Sequence, residues 1–205
     1  MQGQENDFGL WADFELEKKL NKRFDLGAEL GYRLENNLTQ RDETYAGLAL
    51  SYSKKRFGIS AGYRFTNEFS IKRTYDLAHR LMAQAMYKPK INRFTLNYRA
   101  RFQIQYSAVN STPNGHLPVS YIRNRLKLSY NVKGIPLEPS LSYEVFTRTN
   151  WYLPVRNEKQ RFLAALSYKI FDNHEVTISV LKQTYHFNEE PKSLAVIGVG
   201  YKLKI

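Results

Sequence analysis

The 205-residue chain has no cysteine, which excludes disulfides, thiolate metal ligands and cysteine nucleophiles together. Its apolar runs fall far short of the roughly 18 residues that a membrane-crossing helix needs. Histidine is scarce: there are four, and none has His-x-His or His-x3-His spacing, so no metal site is expected. No cofactor motif appears. Met1 is followed at once by Gln-Gly-Gln-Glu-Asn, with neither a basic nor an apolar leader region. Acids are in the minority, 19 against 31 Lys and Arg, for a net charge of +12. What the chain does have is aromatic residues, 15 Tyr and 12 Phe, at a mean hydropathy of -0.54. That mixture suits a nucleic-acid binder, a soluble β protein or an outer-membrane barrel.

Periodicity narrows the choice. No stretch has a helical stripe, and nearly everything after Asp7 alternates with period two, which sends successive side chains to opposite faces of a strand. In the segment 22–34, Phe24, Leu26, Ala28, Leu30, Tyr32 and Leu34 share one face, and Asp25, Gly27, Glu29, Gly31 and Arg33 share the other. In 93–107 the faces are Phe94, Leu96, Tyr98, Ala100 and Phe102 against Thr95, Asn97, Arg99, Arg101 and Gln103. About eleven such segments are expected: 8–20, 22–34, 43–54, 56–67, 74–88, 93–107, 120–132, 135–148, 159–170, 174–187 and 193–205. They are long beside the typical strand of about 5–6 residues. Short and long connections alternate between them, as in an up-and-down meander. The expected organisation is a flexible N-terminal segment, 1–7, followed by a single β-barrel domain, 8–205.

Aromatic residues are registered to the short turns. Tyr52, Tyr87, Tyr130 and Tyr168 precede them, Phe24, Phe57 and Phe94 follow three of them as Arg-Phe pairs, and Tyr201 lies near the end of the last strand. In a closed barrel these side chains form a ring at one height. Beside it lies a basic rim of Lys22, Lys54, Lys55, Arg56, Lys88 and Lys90.

Alternation alone does not say which face is inside. With the apolar face in, the chain is a soluble, lipocalin-like ligand-binding barrel, but eleven strands leave a lumen that needs a central plug. No apolar helix supplies one. With the apolar face out, the strands span a bilayer, closure satisfies the backbone in lipid, the aromatic ring is an interfacial girdle and the short turns are periplasmic. The expected fold is therefore all-β: an antiparallel up-and-down transmembrane barrel of about 10–12 strands in a Gram-negative outer membrane, its signal peptide removed. An odd count conflicts with the usual even number, so a misread segment, or an N-terminus threaded back through the lumen, is expected.

The chain resembles a family of small outer-membrane barrels grouped as domain of unknown function 2490. The resemblance rests on Trp11, Gly62-Tyr63-Arg64, His79-Arg80, Arg99-Ala-Arg101-Phe102, Arg123-Asn-Arg125-Leu126, Glu138-Pro139, Glu144-Val-Phe146 and Arg161. It implies a Gram-negative outer-membrane location and no known activity.

The candidate site is the inward charge set. Its acids are Asp13, Glu15, Glu17, Asp25, Glu29, Asp76, Glu138, Glu144 and Glu175; its bases are Arg33, Arg64, Arg80, Arg99, Arg101, Arg123, Arg125, Lys127, Arg148 and Arg161. Two uses compete: an anion-selecting pore, and a salt-bridged lumen that packs shut, because buried charges must be paired. Closure is favoured, with Asp13, Glu15, Asp25 and Glu29 reaching the Arg99, Arg101, Arg123 and Arg125 cluster, so that the barrel serves as a structural or interaction scaffold through its loops. An enzyme is not expected. His79 and the loop group Ser111, Asn114 and His116 have no nucleophile at motif spacing. Nucleic-acid binding is not expected, because the aromatics lie on the face opposite the bases. The expected partners are membrane lipids, a protein bound through the extracellular loops, and the barrel-assembly machinery, whose C-terminal signal the run Gly200-Tyr-Lys-Leu203-Lys-Ile205 resembles.

Overall fold

A computed structural model describes residues 5–69, 75–108, 118–150, 154–186 and 192–205. They form eleven long strands: β1 (Glu5–Lys19), β2 (Phe24–Glu35), β3 (Gln40–Lys54), β4 (Phe57–Phe69), β5 (Tyr75–Tyr87), β7 (Phe94–Ala108), β8 (Val119–Tyr130), β9 (Leu137–Arg148), β10 (Arg156–Phe171), β11 (His174–Tyr185) and β12 (Lys192–Lys204). A two-residue β6 (Lys90–Ile91) lies in the turn before β7. Each long strand matches one alternating segment of the sequence to within three residues at either end.

Consecutive long strands pair antiparallel, β5 pairs with β7, and β12 returns to β1. The sheet is therefore a closed barrel without free edges. The closing pair is parallel, registered from Glu5↔Lys192 to Glu17↔Lys204. Eleven strands fall within the expected 10–12, and the closing pair is the one departure from antiparallel pairing. No segment was misread: an odd number of alternating strands makes the first and last run the same way, and a parallel ladder joins them. Both end at the short-turn rim, where Lys19 N donates to Ile205 O at 3.0 Å and Ile205 N donates to Glu17 O at 2.8 Å.

The faces are oriented as the outward-apolar reading requires. Leu48 is 58% exposed and Phe57 66%, whereas Arg64 is 8% and Arg99 7%. An apolar-lined, lipocalin-like interior is thus not what the chain adopts. Within the lumen, Trp11, Leu181, Leu194 and Val196 pack together with Leu163 as an apolar patch behind the parallel seam.

Candidate functional site in the charged lumen

The half of the lumen nearest the long loops is crossed by a belt of side chains that runs full circle. Beginning on β7, Gln105 Oε1 accepts from Arg80 Nε of β5 at 2.8 Å. Arg80 Nη1 donates to Glu43 of β3 at 3.4 Å, and Arg33 of β2 donates to the same carboxylate at 2.6 Å. The Arg33 guanidinium lies 4.3 Å from the centre of the Trp11 ring on β1, and Arg161 of β10 lies 4.9 Å from it. Arg161 also sits 4.7 Å from the Phe146 ring of β9, with Arg123 of β8 at 4.1 Å. Arg123 Nη1 then donates to Gln103 Oε1 at 3.0 Å, which returns the belt to β7. Two ion pairs on Glu43 lead into a run of cations over the Trp11 and Phe146 rings. Side chains in the layer are largely buried: Arg33 and Glu43 are 13% and 7% exposed.

Beside the belt, several contacts reach over an intervening strand, and Arg123–Glu144 joins adjacent strands. Glu29 of β2 accepts from Arg64 of β4 at 2.9 and 2.8 Å. Glu144 of β9 accepts from Arg99 of β7 at 2.5 Å, and from Arg123 at 3.1 and 2.9 Å. Asp13 accepts from the Tyr45 hydroxyl. Such charges, buried and paired, are costly to break singly.

The short-turn half is different. Two polar cavities of about 510 and 380 Å³ lie there, and both are lined by Glu15, Arg99, Arg125 and Lys202. The Glu15 side chain points inward yet is 56% exposed, so this half of the lumen is open to solvent. Space exists because the inward residues are small: Ala49, Ser51, Ser60 and Gly62 on one side, Ser142, Ala165, Ser179 and Gly198 on the other. Following the pairings round the barrel, β7 and β8 lie five or six strands from β1 in either direction. The bases of β7 and β8 therefore face the acids of β1 and β2 across the cavities.

Each expected site residue can now be placed. Arg64, Arg80, Arg99, Arg123, Glu29 and Glu144 make ion pairs, and Arg161 packs against aromatic rings and donates to Gln183. Glu15 lies 3.7 Å from Lys202, which is held more closely by Glu17 at 2.6 Å. Arg101 donates to Gln84 at 2.9 Å and contacts the Met82 sulfur at 3.6 Å. Arg101, Arg125, Asp25 and Glu138 make no ion pair within 4 Å among the described residues. The expected arrangement, in which Asp13, Glu15, Asp25 and Glu29 neutralise the arginine cluster, is therefore corrected. Asp13 and Glu29 are held on their own side by Tyr45 and Arg64, and Glu144, one strand from β8, takes Arg99 and Arg123.

Partners outside the expected charge set include Glu43, Glu68, Tyr45, Glu158 and Lys202. Glu68 fell in an expected loop and Glu43 at an expected strand end, but β4 extends to Phe69 and β3 begins at Gln40.

The expected girdle residues pair across strands at the short-turn end. Phe24 meets Tyr52 at 5.1 Å, Phe57 meets Tyr87 at 4.7 Å, and Phe94 meets Tyr130 at 4.9 Å between ring centres. Tyr201 stacks with Phe14 at 5.8 Å. Tyr168 is exposed and lies opposite Leu137. The six basic rim residues are exposed below these rings. A second aromatic group at the loop end includes Tyr63, Phe65, Phe69, Tyr75 and His79, with the Tyr63 hydroxyl 2.6 Å from His79 Nδ1. His79 is thus an outward residue of this group. Ser111, Asn114 and His116 lie outside the described residues. No cluster of metal-ligating side chains occurs among the described residues.

The fold is similar to that of a bacterial polysaccharide outer membrane secretin, with a TM-score of 0.57 at 10% identity. The match covers 85% of this chain and 62% of that one, so the chain spans about three fifths of the length of that protein. No curated protein matches it in sequence. A family model described as "Protein of unknown function (DUF2490)" matches residues 8–193, on which all the motif residues from Trp11 to Arg161 lie. The resemblance read from those motifs holds: the chain belongs to the DUF2490 family.

Proposed function

We propose that this chain is an outer-membrane β-barrel of a Gram-negative bacterium whose lumen is shut at the loop end, and that it acts as a structural or interaction scaffold through its long loops. The observation that carries the closed lumen is the unbroken belt from Gln105 through Trp11 and Phe146 to Gln103. Membrane residence is supported by the outward apolar band between the two aromatic groups, which is far larger than a soluble monomer tolerates. Phe57 and Phe65 are eight residues apart on β4. At ~3.3 Å per residue and a tilt of ~40°, that is about 20 Å of height, and continuing to Phe69 gives about 30 Å. These values bracket the apolar band of ~25 Å in outer-membrane barrels. The structural neighbour is itself an outer-membrane protein. The exposed basic rim suits acidic lipid headgroups, and the terminal strand suits recognition by the barrel-assembly machinery. The role proposed is not enzymatic, in keeping with the lack of a nucleophile-and-base arrangement in the lumen among the described residues.

The solvent-open cavities favour a second reading, a narrow anion-preferring channel. Planar-bilayer recording separates the two. A scaffold stays silent, and conductance arises only when the belt is cut, for example by Trp11→Ala with Arg161→Ala. Stable anion-selective openings from the unaltered protein would promote the channel. A protein that is monodisperse without detergent, and whose gel mobility is unchanged by boiling, would remove the membrane reading altogether.

A further inference from the structure

The two cavities meet at a wall that carries more positive charge than its neighbours neutralise. Arg99 and Arg125 face one another in register on β7 and β8, and Arg101 and Lys127 continue the row on either side. Glu144 is shared between Arg99 and Arg123. Among the described residues Arg101 donates to an amide oxygen and a thioether, and to no carboxylate. Among the described residues Arg125 and Lys127 have no carboxylate within 4 Å, and Nε of both Arg99 and Arg125 lacks a hydrogen-bond partner. Most acids that line the cavities are engaged elsewhere: Glu144, opposite Arg125 in register, by Arg99 and Arg123, Glu15 and Glu17 by Lys202, and Glu29 by Arg64. Asp25 and Glu175 remain on other strands.

Unpaired guanidinium groups in a confined polar cavity are held there at a cost unless an anion completes them, and the fork of paired N–H donors fits an oxyanion in particular. The cavities are of metabolite size, within the ~300–1,000 Å³ typical of small-ligand pockets. We infer that the short-turn half of the lumen is a blind cup that binds a small oxyanion, a carboxylate or phosphate group, on Arg99, Arg101 and Arg125. The acids of β1 and β2 limit its size by repelling a second negative group placed across the cup. The inference rests on the closed loop end proposed above. Under that reading the cup opens only at the short-turn rim, so its ligand comes from the periplasmic side and does not pass through.

Isothermal titration of the full chain in detergent at low ionic strength, with inorganic phosphate and with acetate as separate probes, tests this. Saturable binding of at least one probe is expected, and the pair distinguishes a phosphate site from a carboxylate site. Arg101→Gln with Arg125→Gln should weaken it at least tenfold. Arg125→Lys, which keeps the charge but loses the fork, should weaken it less than the double variant does, and Arg148→Gln, whose side chain pairs with Glu158 at the loop end, should leave it unchanged. Folding of each variant is read from heat-dependent gel mobility. The site is overturned by absence of saturable binding to the folded native chain, or by equal binding in the double variant. Should the double variant not fold, Arg101→Gln alone is scored by the same criterion. Binding together with anion conductance in bilayers would overturn the closed lumen but leave the oxyanion site standing, so the two failures are distinguishable.

Discussion

Glu29 reaches Arg64 by lying across the backbone of Gly47, the residue between them on the intervening strand. A Cβ at position 47 would fall 2.6 Å from Glu29 Oε1. The same device joins Tyr45 to Asp13 over Gly31, where an added Cβ would lie 2.1 Å from the tyrosine ring. Glycine here is a gap in the inner wall, and a long side chain fills it on the way to a partner two strands away.

Gly47→Val should therefore displace Glu29 and destabilise the barrel by about 1–3 kcal/mol, the usual cost of overpacking. Gly27→Ala is the matched control, because its Cβ would make only an ordinary contact at 3.8 Å. Urea unfolding in detergent, followed by far-ultraviolet circular dichroism, compares the two. Equal midpoints would show that the wall yields at Gly47.

Glu144→Gln leaves Arg99 and Arg123 facing each other without their shared carboxylate. A loss of about 3–5 kcal/mol is expected, as for other buried pairs stripped of one partner. Adding Arg99→Gln should recover part of it, since one uncompensated charge is then removed. A double variant no more stable than Glu144→Gln would argue against repulsion as the cause.

If the outward band contacts lipid, Leu48→Arg should disfavour folding into liposomes by about 2–4 kcal/mol, the cost of arginine at mid-membrane. Ser51→Arg, which enters the solvent-open cavity on the same strand opposite Asp25, should fold nearly as well as the native chain. Similar yields for the two variants would contradict a lipid-facing band.

Removing Leu203–Ile205 takes away the last rungs of the parallel seam, including both backbone bonds of Ile205. Such a chain should show no compact, heat-sensitive band on a gel and should not insert into liposomes. Normal insertion would mean that the seam is held closed from its loop end alone.

Strand positions were legible because period two persists unbroken for a dozen residues at a time, and because Arg-Phe and Tyr mark the turns. The direction of closure was not, since no turn joins β1 to β12 and parity had to be taken from counting. Ion-pair partners were harder still, because they depend on glycine gaps two strands away. One legible signal went unused. Along β3 the inward series runs Glu43, Tyr45, Gly47, Ala49, Ser51, and along β10 it runs Lys159, Arg161, Leu163, Ala165, Ser167. Side-chain volume falls from the loop end to the turn end, and that gradient separates the filled half of the lumen from the hollow one.

Because the first and last strands run side by side in the same direction, Glu5 and Lys204 lie at opposite rims. Thirteen registered pairs separate those levels, about 40 Å along the strand at ~3.3 Å per residue. A barrel with an even meander can be circularly permuted by linking its ends with a tight turn. Here the same operation needs a tether that travels the whole height of the wall, and cutting any other turn leaves that tether in place. Nor can the chain be divided into whole hairpins, so duplication of a two-strand unit cannot by itself account for it. One strand always stands over, and the parallel ladder is the pairing that this odd strand imposes.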